Sequence, residues 1–382
     1  MMRRDVQSAG VAIALLLGGL ACAGDAPPAE EDAPAETAPP EPMEPTVVAT
    51  GLNGPQGVMV DADGSVWVID SGIGGEMEMP FPDLATREAM TVPYGETARV
   101  VRIAPDGSQT EVAMLPSMVV GQDVVGGSRL ASHDGVIYAT NGIWAGEAAG
   151  ERPRNMAAVV RIDEDGVTEV ANSWDIEQAD NPAGALVETN PYGLAFSPDG
   201  TLWLTDAAGN TLFTVDPEAG TLELVAVFDA LPSPIPNPAR GDAMETEPVP
   251  TAVAFDEQGN AYVSFLPGVP FLPGSAKVVR ISADGEVSDY ATGLTMLTDL
   301  RVGPDGQMYA VSFGEFTEQG PTPGSGAIVR IGEGATSEVI LAGLSFPTSI
   351  DFAPNGDAYV STNGVGAPGS GEVVMYAGLA GG

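Results

Sequence analysis

The sequence predicts an all-β fold, a six-bladed β-propeller of four-stranded blades, on three observations. A strand–turn–strand unit recurs six times, a third-strand motif recurs behind it, and the first strand nearly duplicates the fourth strand of an internal unit. Stretches such as PQGVMVDADGSVWVID, NPYGLAFSPDGTLWLTD, PTAVAFDEQGNAYVSF and PTSIDFAPNGDAYVST carry the unit.

The first strands begin near Val58, Leu130, Leu194, Val253, Leu300 and Ile350. Each runs into a tight turn: Asp63-Gly64, Asp134-Gly135, Asp199-Gly200, Gln258-Gly259, Asp305-Gly306 and Asn355-Gly356. Asp-Gly and Asn-Gly reach the positive φ angles that close a hairpin without steric cost. The second strands, VWVID, IYATN, LWLTD, AYVSF, MYAVS and AYVST, alternate with period two. Third strands follow as ARVVRI, AAVVRI, AKVVRI and GAIVRI, with TLFTV and EVVMY as looser copies. Their arginines, Arg102, Arg161, Arg280 and Arg330, recur at one place and are expected to pair with turn carboxylates. Fourth strands such as DYATGL and VILAGL close each unit, but the last unit has only three strands. TVVATGL, residues 46–52, nearly repeats DYATGL and is expected to complete it, closing the ring and covering its edges.

The segment ahead of the head reads differently. Arg3 and Arg4 precede an apolar run of 12 residues, GVAIALLLGGLA, too short to span a bilayer and suited to an export signal over 1–21. The following GGLAC resembles a bacterial lipobox, which implies lipidation of Cys22, the single cysteine, and a membrane contact through that anchor only. No internal disulfide can form. Residues 22–45 are rich in Ala, Pro and acid, cannot bury enough surface to order, and read as a tether reaching on the order of 70 Å at about 3.1 Å per residue. The head is then 46–382. The expected location is the cell envelope, facing the periplasm or on the outer membrane. The expected state is a monomer.

Composition narrows the function classes. Lys and Arg number 14 against 53 Asp and Glu, a net charge of -39, with Lys277 the single lysine. Such a field repels nucleic acid and anionic head groups, so neither is an electrostatic partner. His133, the single histidine, lies in a Ser-His-Asp-Gly hairpin, so no histidine-based triad or multi-histidine zinc site can be assembled. The Asp61-Ala62-Asp63-Gly64 stretch follows the hairpin rhythm and not a Ca²⁺ loop. Met77 and Met79 in GEMEMP are soft-metal donors by type but apolar loop residues by context.

In a four-stranded blade the first and third turns share one face, and these turns are uniformly tight here. The opposite face carries the second-to-third connections, over 71–97, 142–156, 265–275, 313–326 and 363–371, and the crossings over 116–127, 173–190 and 229–249. Loops this long in a compact domain point to function. At the channel mouth on that face the sequence places Gln56, Ser128, Tyr192, Thr251, Thr298 and Thr348, and at the second-strand ends Asp70, Asn141, Asp206 and Asn363. This polar set is the candidate ligand-binding site for a small molecule, glycan or protein, with no cofactor required.

Across residues 46–377 the chain resembles the ScyD/ScyE family, NHL-repeat-like propellers named from scytonemin-biosynthesis clusters. The stretches that carry the resemblance are VVATGL with PQGV, TNPYGLAF, VPTAVAFDEQGNAYVSFLPGVPFLPGSAKVVRI, TDLRVGPDG and FPTSIDFAPNGDAYVS. It implies an exported six-bladed propeller and no defined reaction. A weaker similarity, through PYGLAFSPDGTLWLTD, is to gluconolactonase- and senescence-marker-type propellers with a divalent cation in the channel. That similarity implies an alternative, a Ca²⁺-dependent lactonase-like hydrolase or lyase with Asp70 and Asp206 as metal ligands. Tyr192 stands where that pattern has an Asn ligand, and Gln56 where it has a Glu.

Overall fold

The computed structural model describes residues 43–381 except 84–86, 147–149, 283 and 318. The export signal, Cys22 and the tether up to residue 42 lie outside the described residues. No helix among the described residues is long and apolar enough to cross a membrane.

The described chain is nearly all β, built from antiparallel sheets in the manner of a β-propeller. The first sheet runs Pro55–Val60, Val66–Asp70, Ala89–Ile103 and Gln109–Val120. The second runs Gly127–His133, Val136–Asn141, Ala158–Asp163 and Gly166–Asn172. The third runs Pro191–Phe196, Leu202–Asp206, Thr211–Asp216 and Thr221–Val227. Pro250–Phe255, Ala261–Phe265, Ala276–Ile281 and Val287–Leu294 form the fourth. Leu297–Val302, Met308–Ser312, Gly326–Ile331 and Glu338–Leu344 form the fifth. The last combines Ser349–Phe352, Ala358–Thr362 and Gly371–Tyr376 with Thr46–Leu52 from the other end of the chain, Ala49 facing Val373 and Leu52 facing Gly371.

The alternation along each strand buries one face against each neighbouring sheet. Ile69, Val100 and Leu115 of the first sheet meet Leu130, Ala139 and Val160 of the second. Similar apolar layers join the second to the third, the third to the fourth, the fourth to the fifth and the fifth to the sixth. Val373 of the sixth packs with Val58, Val68 and Val101 of the first. The tight turns form where Gly takes positive φ, as at Gly64 (81°) and Gly200 (85°).

Two expectations about the long-loop face need correction. Residues 71–97 are not an open loop: Met77–Pro82 pairs with the front half of the 15-residue strand Ala89–Ile103. The crossing at 116–127 is likewise strand through Val120 and pairs back on Asp123–Val125. Pro93 and Gly95 interrupt the period-two signal there, and pairing with a neighbour overrides their poor strand propensity. Trp174–Asp180 forms a short helix, and Leu231–Asn237 pairs with Ala243–Thr246. This face is therefore a folded cap. Met79, Phe81, Met118, Trp144, Met156 and Trp174 form its own apolar core, which leaves Met79 as packing.

The repeated arginines are architectural. Arg102 bonds Asp63 of the first turn at 2.6 Å and Arg161 bonds Asp163 at 2.8 Å. Arg280 differs in meeting the amide oxygen of Asn260, and Arg330 in meeting Glu338 on a fourth strand. His133 stacks on Phe196, ring centroids 4.7 Å apart.

Candidate functional site

The first strands of the six sheets line up on their sequence unit, and the third position of each reads Gly57, Arg129, Gly193, Ala252, Asp299 and Ser349. Four of these are small. The other two carry opposite charges, three repeats apart. Gly57 is required by close approach, since a Cβ there would lie 2.7 Å from the Ser128 carbonyl oxygen. This tight convergence encloses the Arg129 side chain completely.

Arg129 is the centre of the structure around which the expected channel residues gather. Its Nη1 donates to the carbonyl oxygens of Gln56 and, at 3.0 Å, Ser128. Its Nη2 donates to those of Thr298 and, at 2.9 Å, Thr348. The guanidinium carbon lies 4.6 Å from the centroid of the Tyr192 ring, a cation–π contact. Nε has no hydrogen-bond partner but stands 3.6 Å from Oδ1 of the fully buried Asp299. Asp299 is held in turn by the Ser349 hydroxyl at 2.6 Å and by the backbone N–H groups of Leu300 and Ile350. The Tyr192 hydroxyl donates to the Gln56 amide oxygen, and the Gln56 amide nitrogen to Gly364 O at 2.7 Å.

Gln56, Ser128, Tyr192, Thr298 and Thr348 therefore do converge, but on an internal cation. The threonine hydroxyls reach from one sheet to the next. Thr251 donates to Leu297 O at 2.8 Å, Thr298 to Pro347 O at 3.3 Å and Thr348 to Pro55 O at 2.6 Å. Each ties its own sheet to the start of the next.

Asp70 and Asp206 stand apart from this centre. Asp70 accepts from the side chain and backbone N–H of Arg99 and from the N–H of Asn53. Asp206 accepts from the Thr189 hydroxyl and from the N–H groups of Asn190, at 2.7 Å, and Gly209, at 2.8 Å. Both are buried and saturated, each fastening a cap loop to its strand end. The Asn141 amide bonds Pro116 O and Asn155 O, and the Asn363 amide bonds Ser370 O. These donors do not fit a divalent cation in the channel, because the convergent carbonyls are already spent on a guanidinium and the two carboxylates are spent elsewhere. Among the described residues no group of three or more His, Cys, Asp or Glu side chains is placed to hold a metal ion.

The cap holds one chemically unusual group that sequence reasoning missed. Glu177, in the short helix, is buried with Oε1 unpartnered. Burial, reinforced by the charge of Asp206, pushes its pKa up to about 8, so it is largely protonated at neutral pH. Beside it, Glu188 is raised by burial and held against that by Arg87, 2.8 Å away. The Ser173, Thr189 and Asp206 side chains form a hydrogen-bonded row.

No protein-family model matches the chain, and neither does any curated protein. Solved structures do. A protein of unknown function from Bacteroides thetaiotaomicron is 12% identical over 88% of this chain and 72% of that one, with a TM-score of 0.51. An oxidoreductase described as a glucose dehydrogenase, from Thermus thermophilus, is 19% identical over 87% of this chain and 99% of that one, with a TM-score of 0.50. A gluconolactonase from Xanthomonas campestris is 13% identical over 89% of this chain and 99% of that one, with a TM-score of 0.46. At these identities the likeness is one of fold alone.

Proposed function

We propose that this chain is an exported, six-bladed propeller tethered to the cell envelope through lipidated Cys22, and that it is a binding module whose folded cap takes up a protein partner. The reading keeps the ScyD/ScyE-like character of residues 46–377. Pairing of Thr46–Leu52 with Gly371–Tyr376, and the apolar layer between the last sheet and the first, support a ring of six blades closed by its N-terminal strand.

One observation carries the binding role. The large apolar side chains most exposed among the described residues fall into two sets. Val47, Val112, Met114, Leu224, Val227, Val287 and Val339 lie on the outermost strands. Ile73, Met77, Val187, Ile235, Met244, Leu272 and Val365 all lie on the cap, and the tight-turn face contributes none. Of the two loop-bearing faces only the cap carries such side chains, which favours it over the tight-turn face as the contact surface. Catalysis at the axis is disfavoured by the guanidinium that fills it.

The reading is tested by calorimetric titration of the chain with Ca²⁺, with Asp206→Asn as control, beside site-specific photo-crosslinking in cells. The expected outcome is no saturable tight Ca²⁺ site, and crosslinks from Ile235 and Val365 that are absent from Val287. A micromolar 1:1 Ca²⁺ site lost in the variant would return the protein to the cation-dependent enzymes. Equal capture from the cap and from Val287 would remove the case for the cap.

A further inference from the structure

On the opposite, tight-turn face the blades share a second pattern, and one blade departs from it. The second strand carries an aromatic residue whose register partner on the third strand is an arginine in four sheets: Trp67 with Arg102, Tyr138 with Arg161, Tyr262 with Arg280 and Tyr309 with Arg330. In the sixth sheet Tyr359 faces Met375, an apolar side chain. In the third sheet Trp203 faces Thr214, whose side chain is too short to cover an indole.

The first sheet shows what an arginine does at this place. The Arg102 guanidinium carbon lies 5.9 Å from the Trp67 ring centroid, while Nη2 donates to Asp63 Oδ2 and to Ser65 Oγ, each at 2.6 Å. The sequence there is Asp63-Gly64-Ser65-Val66-Trp67, and the third sheet repeats it as Asp199-Gly200-Thr201-Leu202-Trp203. The carboxylate, the hydroxyl and the indole are all kept at the same spacing. Their turn geometry is kept too: Asp63 Oδ1 accepts from the Ser65 N–H at 2.8 Å and Asp199 Oδ1 from the Thr201 N–H at 3.1 Å. Oδ1 of Asp199 also accepts from the Ser197 hydroxyl at 2.5 Å, and the Thr201 hydroxyl bonds the same carboxylate, but among the described residues no arginine or lysine pairs with it as Arg102 does with Asp63. The cation itself is what the third sheet lacks, Thr214 standing where the first has Arg102.

A groove of about 590 Å³ opens at this spot, lined by Asp199, Thr201, Trp203 and Thr214 and walled by Phe255 and Glu257 of the next sheet. Phe255 meets Trp203 edge to face at 5.4 Å, fixing the indole, and Glu257 adds a second carboxylate. We propose that this groove binds the guanidinium of an arginine side chain presented by a partner polypeptide, in the place that Arg102 fills in the first sheet. The bound group stacks on Trp203 and bonds Asp199 and Thr201, as Arg102 does with Trp67, Asp63 and Ser65. A polypeptide is the favoured source because free arginine brings an α-carboxylate, which Asp199, Glu257 and a chain of net charge -39 would repel.

The test is a nuclear magnetic resonance titration of the full chain, labelled with ¹⁵N-tryptophan, with acetyl-Gly-Arg-Gly-amide. Trp203 should show a saturable indole N–H shift with a Kd on the order of 30 mM or weaker, as expected for one exposed cation–π contact and one exposed ion pair. The Trp67 signal should not move, since its arginine is built in. Asp199→Asn should weaken binding about threefold, and Thr214→Arg, which supplies the side chain from within, should abolish the shift. The citrulline peptide, isosteric but uncharged, should not bind. Equal binding of the citrulline peptide, or unchanged binding in either variant, would overturn the site. Free arginine binding as tightly as the peptide would overturn the polypeptide source.

Discussion

Replacing Arg129 by Met keeps an unbranched chain of similar bulk at the axis and removes the charge and every donor. Four carbonyl oxygens, from Gln56, Ser128, Thr298 and Thr348, lose a partner, and the buried Asp299 carboxylate loses its nearest cation. Removing one member of a buried ion pair costs about 3–5 kcal/mol, and although Arg301 Nε stays 3.9 Å from Asp299 Oδ2, the four buried carbonyls left without a donor add to the loss. Unfolding entropy of about 2.1 cal/mol/K per residue gives a chain this long roughly 0.7 kcal/mol/K, so the melting temperature should fall by about 4–7 °C. Calorimetric melting at a fixed scan rate reads this directly. Arg129→Met/Asp299→Asn should recover part of the loss, with a coupling on the order of 1–3 kcal/mol between the two sites. A single variant melting within about 1 °C of the parent would refute the reasoning. So would strictly additive losses in the double variant, since the pair would then not act as a unit.

Two further outcomes follow from the cap and from the closing strand. Because the pKa of Glu177 is raised in the fold to about 8 from 4.5, its contribution to stability is full below about pH 4.5 and is lost as the pH rises toward 8, at up to about 1.4 kcal/mol per unit. Glu177→Gln should therefore be more stable than the parent at pH 8 and flatten the difference in melting temperature over that window, and parallel pH profiles would refute the assignment. Ala49→Pro removes a ladder donor in the middle of Thr46–Leu52, a strand whose partner lies at the far end of the sequence. It should cost about 1–3 kcal/mol in chemical denaturation, and a loss below about 0.5 kcal/mol would show that the strand contributes little to the last sheet.

The axis explains how a chain with no internal disulfide and few aromatics fastens its first strands. The acceptors of Arg129 lie 73, 169 and 219 residues away in sequence. Arg129 and Asp299 sit three repeats apart in sheets that share no ladder, so their attraction draws those sheets together. The threonine hydroxyls add ties from one sheet to the next. Buried charge is a costly way to gain stability, but its hydrogen-bond geometry selects one arrangement of sheets over others.

What the sequence by itself determined is what short-range chemistry controls. Asp-Gly and Asn-Gly turns, period-two alternation and the VVRI strands placed every unit, because positive φ and strand alternation are properties of a few consecutive residues. The likeness of residues 46–52 to DYATGL also located the strand that joins Gly371–Tyr376. Only the tertiary structure decided the site. Arg129 reads as one more strand residue in GSRLAS, and its role appears only when carbonyls from several sheets meet around it. Listing the third position of every first strand would have exposed the Arg129–Asp299 pair, since two opposite charges stand there among four small residues. Asp70 and Asp206, read as channel carboxylates, are occupied by Arg99 and by cap N–H groups, partners the linear order does not bring near. The strands in the cap escaped notice because pairing across folded loops overrides the local signals of Pro93 and Gly95. Glu177 acquires its raised pKa from burial and from Asp206, 29 residues on, and an environment assembled from distant segments is written in no single stretch of the chain.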